Sequence, residues 1–267
     1  MSILQALLLG IIQGLTEFIP VSSSGHLVLA HDLLGITENG LAFDVALHLG
    51  TLVALLIYFH KDIWHLIVAV FTRQKDARLA WLLAAATVPA VIVGLLLESA
   101  AESALRAPWL VAINFVVVSI FMLSAERYYR RRVKKPTELK MVKNEQALAI
   151  GMAQALAIIP GVSRSGATIT TGIFAGMDRV AATRFSFLLG IPIMIGAVIK
   201  VFSDSQTFNQ FSSEMGIFIT GMLAALLSGL FAIRFLLRYL SKHTLDVFAY
   251  YRLGVAAIIF IILLVRM

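Results

Sequence analysis

The sequence contains no cysteine, and only 14% of its 267 residues are Asp, Glu, Lys or Arg. The missing cysteines exclude disulfides, thiolate metal sites and a cysteine nucleophile. The scarcity of charge, together with 60% hydrophobic residues and a mean hydropathy of +0.90, excludes an ordinary soluble domain of this length. These values are typical of a helical protein that crosses a membrane several times.

The net positive charge of +7 lies in loops rather than on a face that would bind nucleic acid. Fifteen of the 22 Lys and Arg residues fall in three patches, 60–78, 126–145 and 234–242. Such patches mark the cytoplasmic loops of membrane proteins, so no nucleic-acid partner is expected. The amino-terminal stretch MSILQALLLGIIQGL has neither a basic region nor a small-residue cleavage site, and it does not predict a removable signal peptide.

Six hydrophobic segments are predicted as spanning helices, at 41–59, 79–97, 107–125, 181–200, 215–233 and 246–266. Three of them carry 19 residues without a charge, and at about 1.5 Å per residue each can cross a hydrocarbon core of about 30 Å. A topology with all three basic patches on the cytoplasmic side is self-consistent and leaves the carboxyl terminus outside.

Two shorter uncharged segments resemble each other. QALLLGIIQGLTEFIPVSSSG (5–25) and QALAIGMAQALAIIPGVSRSG (146–166) have ten of 21 identical positions at a constant offset of 141. Each runs into a polar break marked by Pro and Gly. Because three spans separate the copies, the second is expected to be inverted, as in transporters with broken helices. We predict two re-entrant helical hairpins, about 3–36 and 145–178, whose polar tips meet inside the bundle, where irregular backbone is tolerated.

The predicted fold class is therefore an all-α polytopic membrane protein with six spanning helices and two re-entrant hairpins. It forms one integral membrane domain over 1–267, made of repeat 1 (about 3–125), a cytoplasmic basic loop (126–145) and repeat 2 (about 146–266). A simpler alternative treats the two related segments as ordinary spans whose Ser and Gly residues pack helices. That alternative gives Glu17, His26 and Arg164 no reason to be there.

The first break places an acid within an apolar segment, and burying such a group in lipid costs about 2.5 kcal/mol or more. Gln13 and Glu17 are four residues apart, so both lie on one face of a helix. Carboxylate and amide oxygens are ligands of hard cations, and the pair predicts a site for a divalent cation, Mg²⁺ or Ca²⁺, completed by substrate oxygens. The alternative is that Glu17 is a buried structural acid paired with Arg164.

The second break, PGVSRSGAT, carries Arg164 at its tip. The exposed amides that open the following helix form an anion site of the phosphate-binding kind, and a guanidinium can hold a phosphate through two hydrogen bonds. The residues predicted to bind the anion at the two breaks are Ser22, Ser24, Gly25, Gly161, Ser163, Ser165, Gly166 and Thr168.

The two breaks have diverged in their chemistry, because Ser23 in the first corresponds to Arg164 in the second. The acid, a serine and His26 lie in the first copy, and the cation lies in the second. A repeat with a purely structural role has little reason to divide these groups. His26 has a simpler interpretation as a histidine at a helix start with satisfied hydrogen bonds. His48 and Asp44, near the start of the span 41–59, are assigned no role.

The segments QGLTEFIPVSSSGH and PGVSRSGAT, about 140 residues apart, closely resemble the two motifs of the BacA/UppP family of undecaprenyl-pyrophosphate phosphatases. The resemblance covers essentially the whole chain. The family's acidic motif, Glu or Gln followed four residues later by Glu, falls on Gln13 and Glu17. Its serine-rich stretch falls on Ser22, Ser23 and Ser24 with His26, and its arginine signature falls on Ser163, Arg164 and Ser165.

This resemblance implies hydrolysis of undecaprenyl pyrophosphate to the monophosphate lipid carrier used for peptidoglycan and other envelope polymers, and thereby a link to bacitracin resistance. It implies a divalent cation, interdigitated inverted repeats, a location in the bacterial cytoplasmic membrane and an active site open to the periplasmic side. The implied partners are the isoprenoid pyrophosphate lipid and bacterial membrane lipids. The oligomeric state stays open, with a homodimer among the candidates.

Together these features predict metal-assisted phosphoryl transfer. Glu17 and Gln13 are predicted to hold the metal, and Arg164 to neutralise the pyrophosphate. Ser23 is the first choice of nucleophile, with His26 as general base or leaving-group acid; attack by His26, or by water that it activates, stays open. A lipid or small-anion transporter or flippase is the alternative function, because inverted repeats with broken helices are transporter-like.

Overall fold

The computed structural model describes residues 1–36, 40–102, 107–132 and 139–265. The described residues form helices and no strand. The helices are α1 (Ile3–Phe18), α2 (Ser23–Leu34), α3 (Gly40–Tyr58), α4 (His60–Phe71), α5 (Ala77–Glu102), α6 (Pro108–Arg132), α7 (Asn144–Leu156), α8 (Arg164–Phe174), α9 (Arg179–Phe202), α10 (Ser205–Ser213), α11 (Met215–Leu240) and α12 (Asp246–Val265). A single 3₁₀ turn, Leu139–Met141, precedes α7.

The prediction of an all-helical, multi-pass membrane protein is confirmed. Within the described ranges, α5, α6, α9, α11 and α12 are each long and apolar enough to cross a membrane. α3 and α4 are bent by 73° relative to each other, and they give a sixth candidate if the bent pair is counted as one span. Each of the six predicted segments overlaps a helix of this set over nearly all of its described residues, and residue 266 of the last segment lies outside the described residues. Most of these helices extend a few residues beyond the predicted bounds.

Two helices lie where the sequence predicted loops. The first basic patch forms α4, and the segment 201–214 contains α10. Large apolar side chains of α4 are exposed, with Trp64 at 68% and Phe71 at 83%, while its first turn is charged. A helix with one polar and one apolar side is suited to the membrane–water interface. The sequence analysis predicted a loop here from the basic residues of the patch and did not consider the helical spacing of its apolar residues.

The short helices α1 and α7 each pack mainly on a long helix from the other half of the chain. α1 packs along α11, and α7 packs along α5. Glycines at equivalent positions of the repeat allow this approach: a Cβ on Gly10 would overlap the carbonyl oxygen of Gly221, and one on Gly151 would overlap that of Ala86. Small residues at such crossings let helix backbones come close within a membrane.

Polar contacts link the ends of several helices at the basic patches. Arg130 near the end of α6 pairs with Asp246 at the start of α12, with an N–O distance of 2.6 Å. Arg78 near the start of α5 donates to the carbonyl oxygen of Val142, just before α7, at 2.8 Å. The first two basic patches therefore lie at the same end of the bundle. Part of the predicted basic loop, 133–138, lies outside the described residues.

Replacement of Gly10 by alanine should destabilise the protein, because the new Cβ meets the backbone of α11. Overpacking of this kind costs about 1–3 kcal/mol. The matched control is Gly254→Ala in α12, where a Cβ meets open space and where alanine favours the helix by up to about 1 kcal/mol. Thermal unfolding in detergent should show a lower Tm for Gly10→Ala alone; equal Tm values would contradict the close crossing.

Candidate active site at two helix breaks

The two breaks have the same local backbone. Each break contains a proline: Pro20 follows α1, which ends at Phe18, and Pro160 follows α7, which ends at Leu156. Ser22 then takes φ = 77° before α2, and Ser163 takes φ = 73° before α8, a region that residues other than glycine rarely adopt. Strained residues of this kind concentrate at functional sites. The two serines are equivalent in the repeat, so the sequence similarity extends to an uncommon backbone conformation.

Both serines also cap the helix that follows. The Ser22 hydroxyl accepts a hydrogen bond from the Gly25 amide at 3.4 Å, and the Ser163 hydroxyl accepts one from the Gly166 amide at 3.0 Å. A serine cap of this kind satisfies an amide that has no partner within its helix. The caps explain why each break turns directly into a helix whose first residue, Ser23 or Arg164, carries a functional group.

An ion pair joins the two breaks. Arg164 Nη2 donates to Glu17 Oε1 at 2.7 Å, and the two side chains are only 18% and 6% exposed. A second contact runs from the Ser165 hydroxyl to the carbonyl oxygen of Ile19 at 3.4 Å. The structure therefore brings together the acid of the first repeat and the cation of the second. This is the contact expected if Glu17 is a buried acid paired with Arg164.

The other carboxylate oxygen of Glu17 contacts three further polar groups. Ser23 Oγ donates to Glu17 Oε2 at 2.5 Å, and Gln13 Nε2 donates to the same atom at 3.1 Å. His48 Nε2 lies 3.6 Å from it. The carboxylate is thus held between both breaks and α3, and its hydrogen bond to Ser23 is as short as charge-assisted O–H···O⁻ bonds become.

The guanidinium of Arg164 is held by α9 as well as by Glu17. Nη1 donates to the carbonyl oxygen of Gly190 at 3.1 Å, and Nη2 lies 3.2 Å from the sulfur of Met194. A Cβ on Gly190 would lie 2.6 Å from Nη1, so glycine at this position leaves room for the guanidinium. α9 thereby sets the direction in which Arg164 faces the first break.

These groups open into a cavity of about 290 Å³. The polar residues that line it are Glu17, Ser22, Ser23, Ser24, His48, Gln154, Ser163 and Arg164. Six of the eight are residues that the sequence analysis proposed as catalytic or anion-binding. The cavity therefore brings together hydroxyl donors, a carboxylate and a guanidinium, a combination suited to binding and transferring a phosphoryl group.

Other predicted anion-binding residues lie behind the cavity wall. A Cβ on Gly25 would meet the Phe115 ring, and one on Gly161, at φ = 89°, would meet the backbone of Val111. Thr168 Oγ1 donates to the carbonyl oxygen of Arg164 at 2.7 Å. Ser165 contacts the carbonyl oxygen of Ile19, and the amide of Gly166 is capped by Ser163. All five residues therefore contribute to the shape of the two breaks. Their direct role toward an anion stays a prediction.

His26 points away from the cavity and is not among its lining residues. Its Nδ1 lies 2.7 Å from the carbonyl oxygen of Ser22, and its Nε2 lies 2.8 Å from the hydroxyl of Tyr251, whose ring is stacked on the imidazole. This arrangement matches the interpretation of a histidine at a helix start with satisfied hydrogen bonds. Its role as general base stays a prediction.

The sequence analysis missed two polar residues of the cavity, His48 on α3 and Gln154 on α7. Gln154 could have been found, because it is the repeat counterpart of Gln13. His48 had no such signal, since its counterpart in the second repeat is the apolar Leu189. Only the packing of α3 against α1 and α9 brings His48 to the site.

The residues present can supply part of a divalent-cation site. Within the described part of the chain there is no cluster of three or more His, Cys, Asp or Glu side chains that could hold a metal. Glu17 offers a carboxylate, and the buried Gln13 Oε1 has no partner among the described residues. Two oxygen donors fit a hard cation whose other ligands are water or substrate oxygens. In this structure both oxygens of Glu17 accept hydrogen bonds, and Gln13 is not among the residues that line the cavity, so the metal site stays a prediction.

Comparisons with known proteins agree with the motif resemblance. Residues 6–258 match the protein family described as Bacitracin resistance protein BacA. The chain is similar to an undecaprenyl-diphosphatase of Rubrobacter xylanophilus, 43% identical over 274 residues that cover 99% of each chain. It is also similar to proteins of the same name from Desulforudis audaxviator, 42% identical with 98% of each chain covered, and Pelotomaculum thermopropionicum, 43% identical with 97% covered.

Breaking the Glu17–Arg164 pair should strongly destabilise the protein. Removing one partner of a buried ion pair costs about 3–5 kcal/mol, because it leaves the other charge unpaired. We expect Glu17→Gln and Arg164→Met each to lower the free energy of unfolding in a detergent denaturation assay, and the double variant to cost clearly less than the sum.

The matched control is Asp76→Asn, which breaks the exposed His65–Asp76 pair, 2.8 Å apart, and should cost about 1 kcal/mol or less. Additive effects of the two site substitutions would show that the charges do not depend on each other.

Proposed function

Because the chain belongs to the bacitracin resistance protein BacA family, we propose that it hydrolyses undecaprenyl diphosphate to undecaprenyl phosphate and inorganic phosphate. The relatives over the full length are named for this activity. The observation that carries the proposal is the cavity in which a carboxylate, a serine hydroxyl and a guanidinium meet from two distant parts of the sequence. The product is the lipid carrier that peptidoglycan synthesis reuses.

The diphosphate binds between the two breaks. Arg164 has five N–H donors, of which its contacts with Glu17, Gly190 and Met194 use three, so others are left for a phosphate. Hydroxyls from both breaks line the same volume. Fixed donors of this kind stabilise the charge of a transferring phosphoryl group without reorganisation.

Ser23 attacks the terminal phosphorus through Oγ. Glu17, whose Oε2 is 2.5 Å from that hydroxyl, accepts its proton, and the bond from phosphorus to the bridging oxygen breaks to release undecaprenyl phosphate. Water then cleaves the phosphoserine, which returns the serine and yields inorganic phosphate. His26 would have to leave its contacts with Ser22 and Tyr251 to take part, so the proton acceptor in this scheme is Glu17.

A divalent cation, Mg²⁺ or Ca²⁺, would be held by Glu17 and Gln13 with substrate oxygens. When bound it supplies positive charge to the two phosphates. The proximity of Gln13 Nε2 to Glu17 means that the amide must turn its oxygen toward the ion, a rotation that exchanges two nearly isosteric atoms.

The lengths of α1 and α7 support a re-entrant placement of both helices. With 16 residues in α1 and 13 in α7, the two helices are about 24 and 20 Å long, shorter than a hydrocarbon core of about 30 Å. This shortness supports our proposal that α1 with α2, and α7 with α8, form re-entrant hairpins of an inverted repeat. The bacterial cytoplasmic membrane and an opening of the cavity to the periplasmic side are proposed from membership of the family.

The lipid tail has an apolar cleft beside the second break. A cavity of about 510 Å³ lies between α6, α7 and α8, lined mainly by apolar side chains such as Phe121, Leu156 and Ile159. Leu156 is close in sequence to Gln154 and Ala157, which line the polar cavity. We propose that this cleft holds the first isoprene units of a substrate whose diphosphate occupies the polar cavity.

The proposal is tested by phosphate release from a polyprenyl diphosphate with the purified protein in detergent, where no transport is possible. We expect release with Mg²⁺ or Ca²⁺ present and a loss of more than about tenfold after chelation by EDTA, restored by adding the ion back. A mock purification controls for contaminating phosphatases. Absence of release with either ion would refute the phosphatase and favour the transporter alternative.

Ser23→Ala should reduce turnover by at least about a hundredfold, because it removes the attacking oxygen. The matched control is Ser119→Ala, a buried serine of α6 whose hydroxyl donates within its own helix to Phe115. The control should keep near-normal kcat in the same assay. Near-normal turnover of Ser23→Ala would exclude Ser23 as the nucleophile, and water or His26 would then be the attacking group.

A further inference from the structure

Gln154 is a buried amide without a partner. It is 2% exposed, and within the described ranges neither its Oε1 nor its Nε2 makes a hydrogen bond. Leaving a buried donor or acceptor unsatisfied costs about 1–3 kcal/mol. The side chain nevertheless lines the polar cavity. Both polar atoms of Gln154 therefore lack a protein partner among the described residues, and such features are expected where a ligand supplies the missing partner.

Comparison with its repeat counterpart shows that this amide has a different task. Gln13 donates through Nε2 to Glu17, four residues later on the same helix face, at 3.1 Å. The residue four positions after Gln154 is Ile158, which has no acceptor to offer. The Nε2 of Gln154 is therefore available where that of Gln13 is occupied.

The packing of α7 keeps Gln154 at the cavity. Gly151 lies one turn earlier, and a Cβ there would overlap the carbonyl oxygen of Ala86 on α5. The backbone of α7 thus lies in close contact with α5. Both ends of the α7–α8 break are held, by this crossing and by the Arg164–Glu17 pair, so the backbone that carries Gln154 is fixed beside the cavity.

The neighbours of Gln154 in the cavity identify the chemistry of its ligand. Arg164 contributes positive charge, and Ser22, Ser24 and Ser163 contribute hydroxyls. A set of donors around one cation suits an anion with several oxygen acceptors. An amide adds a donor, Nε2, for a phosphoryl oxygen and an acceptor, Oε1, for a P–OH group or a bound water.

We infer that Gln154 is a substrate-binding residue that donates from Nε2 to the diphosphate group. The inference rests on the proposed function for the identity of the substrate. It assigns to the second repeat a direct contact with substrate beyond that of Arg164, on the opposite side of the break. Gln13 and Gln154 are one of the ten identical pairs in the repeat, and on this inference they differ in their contacts: Gln13 donates to Glu17, and Gln154 donates to the substrate.

The test compares the wild-type protein with Gln154→Leu, which keeps a similar volume and removes both unpaired atoms. Binding is followed as the rise in Tm caused by methylenediphosphonate, a diphosphate analogue that is not hydrolysed, and turnover is followed with a polyprenyl diphosphate. We expect the free variant to have an unchanged or higher Tm, the analogue-induced rise to be lost, and KM to increase at least tenfold with a smaller change in kcat.

Thr170→Val is the matched control. Thr170 on α8 is fully buried, and its Oγ1 also lacks a partner among the described residues, but the residue does not line the cavity. Its substitution should leave Tm, analogue binding and KM close to those of the wild type. Gln154→Met, a second apolar variant, separates an effect of side-chain shape from an effect of the lost amide.

The outcomes test the role of Gln154 and the proposed phosphatase activity separately. Wild-type KM and a wild-type analogue response in Gln154→Leu and Gln154→Met would overturn the inference while leaving the phosphatase intact. Destabilised free Leu and Met variants would also overturn it, since the amide would then be structural. A wild-type protein that binds the analogue through Gln154 but releases no phosphate would refute the proposed activity and keep the anion site.

Discussion

The ion pair between Glu17 and Arg164 is the interaction on which the rest of the site depends. It joins two loops that are 147 residues apart in sequence, and it does so where water is scarce. Each charge alone would be costly in a membrane, and an unpaired partner left behind would be more costly still. The pair therefore determines how α1 and α8 meet. The positions of Ser23 and of the cavity follow from that contact.

A buried pair of this kind also prepares the site for an anion. The guanidinium is already desolvated and directed by α9 through Gly190, and the serine hydroxyl is already hydrogen-bonded to the carboxylate. On the proposed function, a diphosphate in the cavity would meet donors that are already in place. Preorganised groups in a site of low dielectric contribute more to phosphoryl transfer than the same groups would in water.

Much of the fold was predictable because hydropathy reports directly on membrane spans, and much of the site was predictable because the repeat marks it. Glu17, Ser23 and Arg164 were found from their place in two related breaks, and they do line one cavity. What could not be predicted depends on packing between distant helices. His48 reaches the cavity only because α3 lies beside α1. His26 turns outward because Tyr251 of α12 offers it a partner, and α4 was concealed because a charged patch indicated a loop.

The close crossing of α1 with α11 imposes an order on the biosynthesis of this protein. Residues 3–18 leave the ribosome long before residues 215–240, and at about 5–20 residues per second the interval is roughly 10 to 40 seconds. During that time the surface around Gly10 has no permanent neighbour, and Glu17 first waits for Arg164 to be made. The polar cavity, whose lining comes from both halves of the chain, therefore cannot form when the first half is inserted alone. It forms only after the second half has been synthesised and has packed against the first.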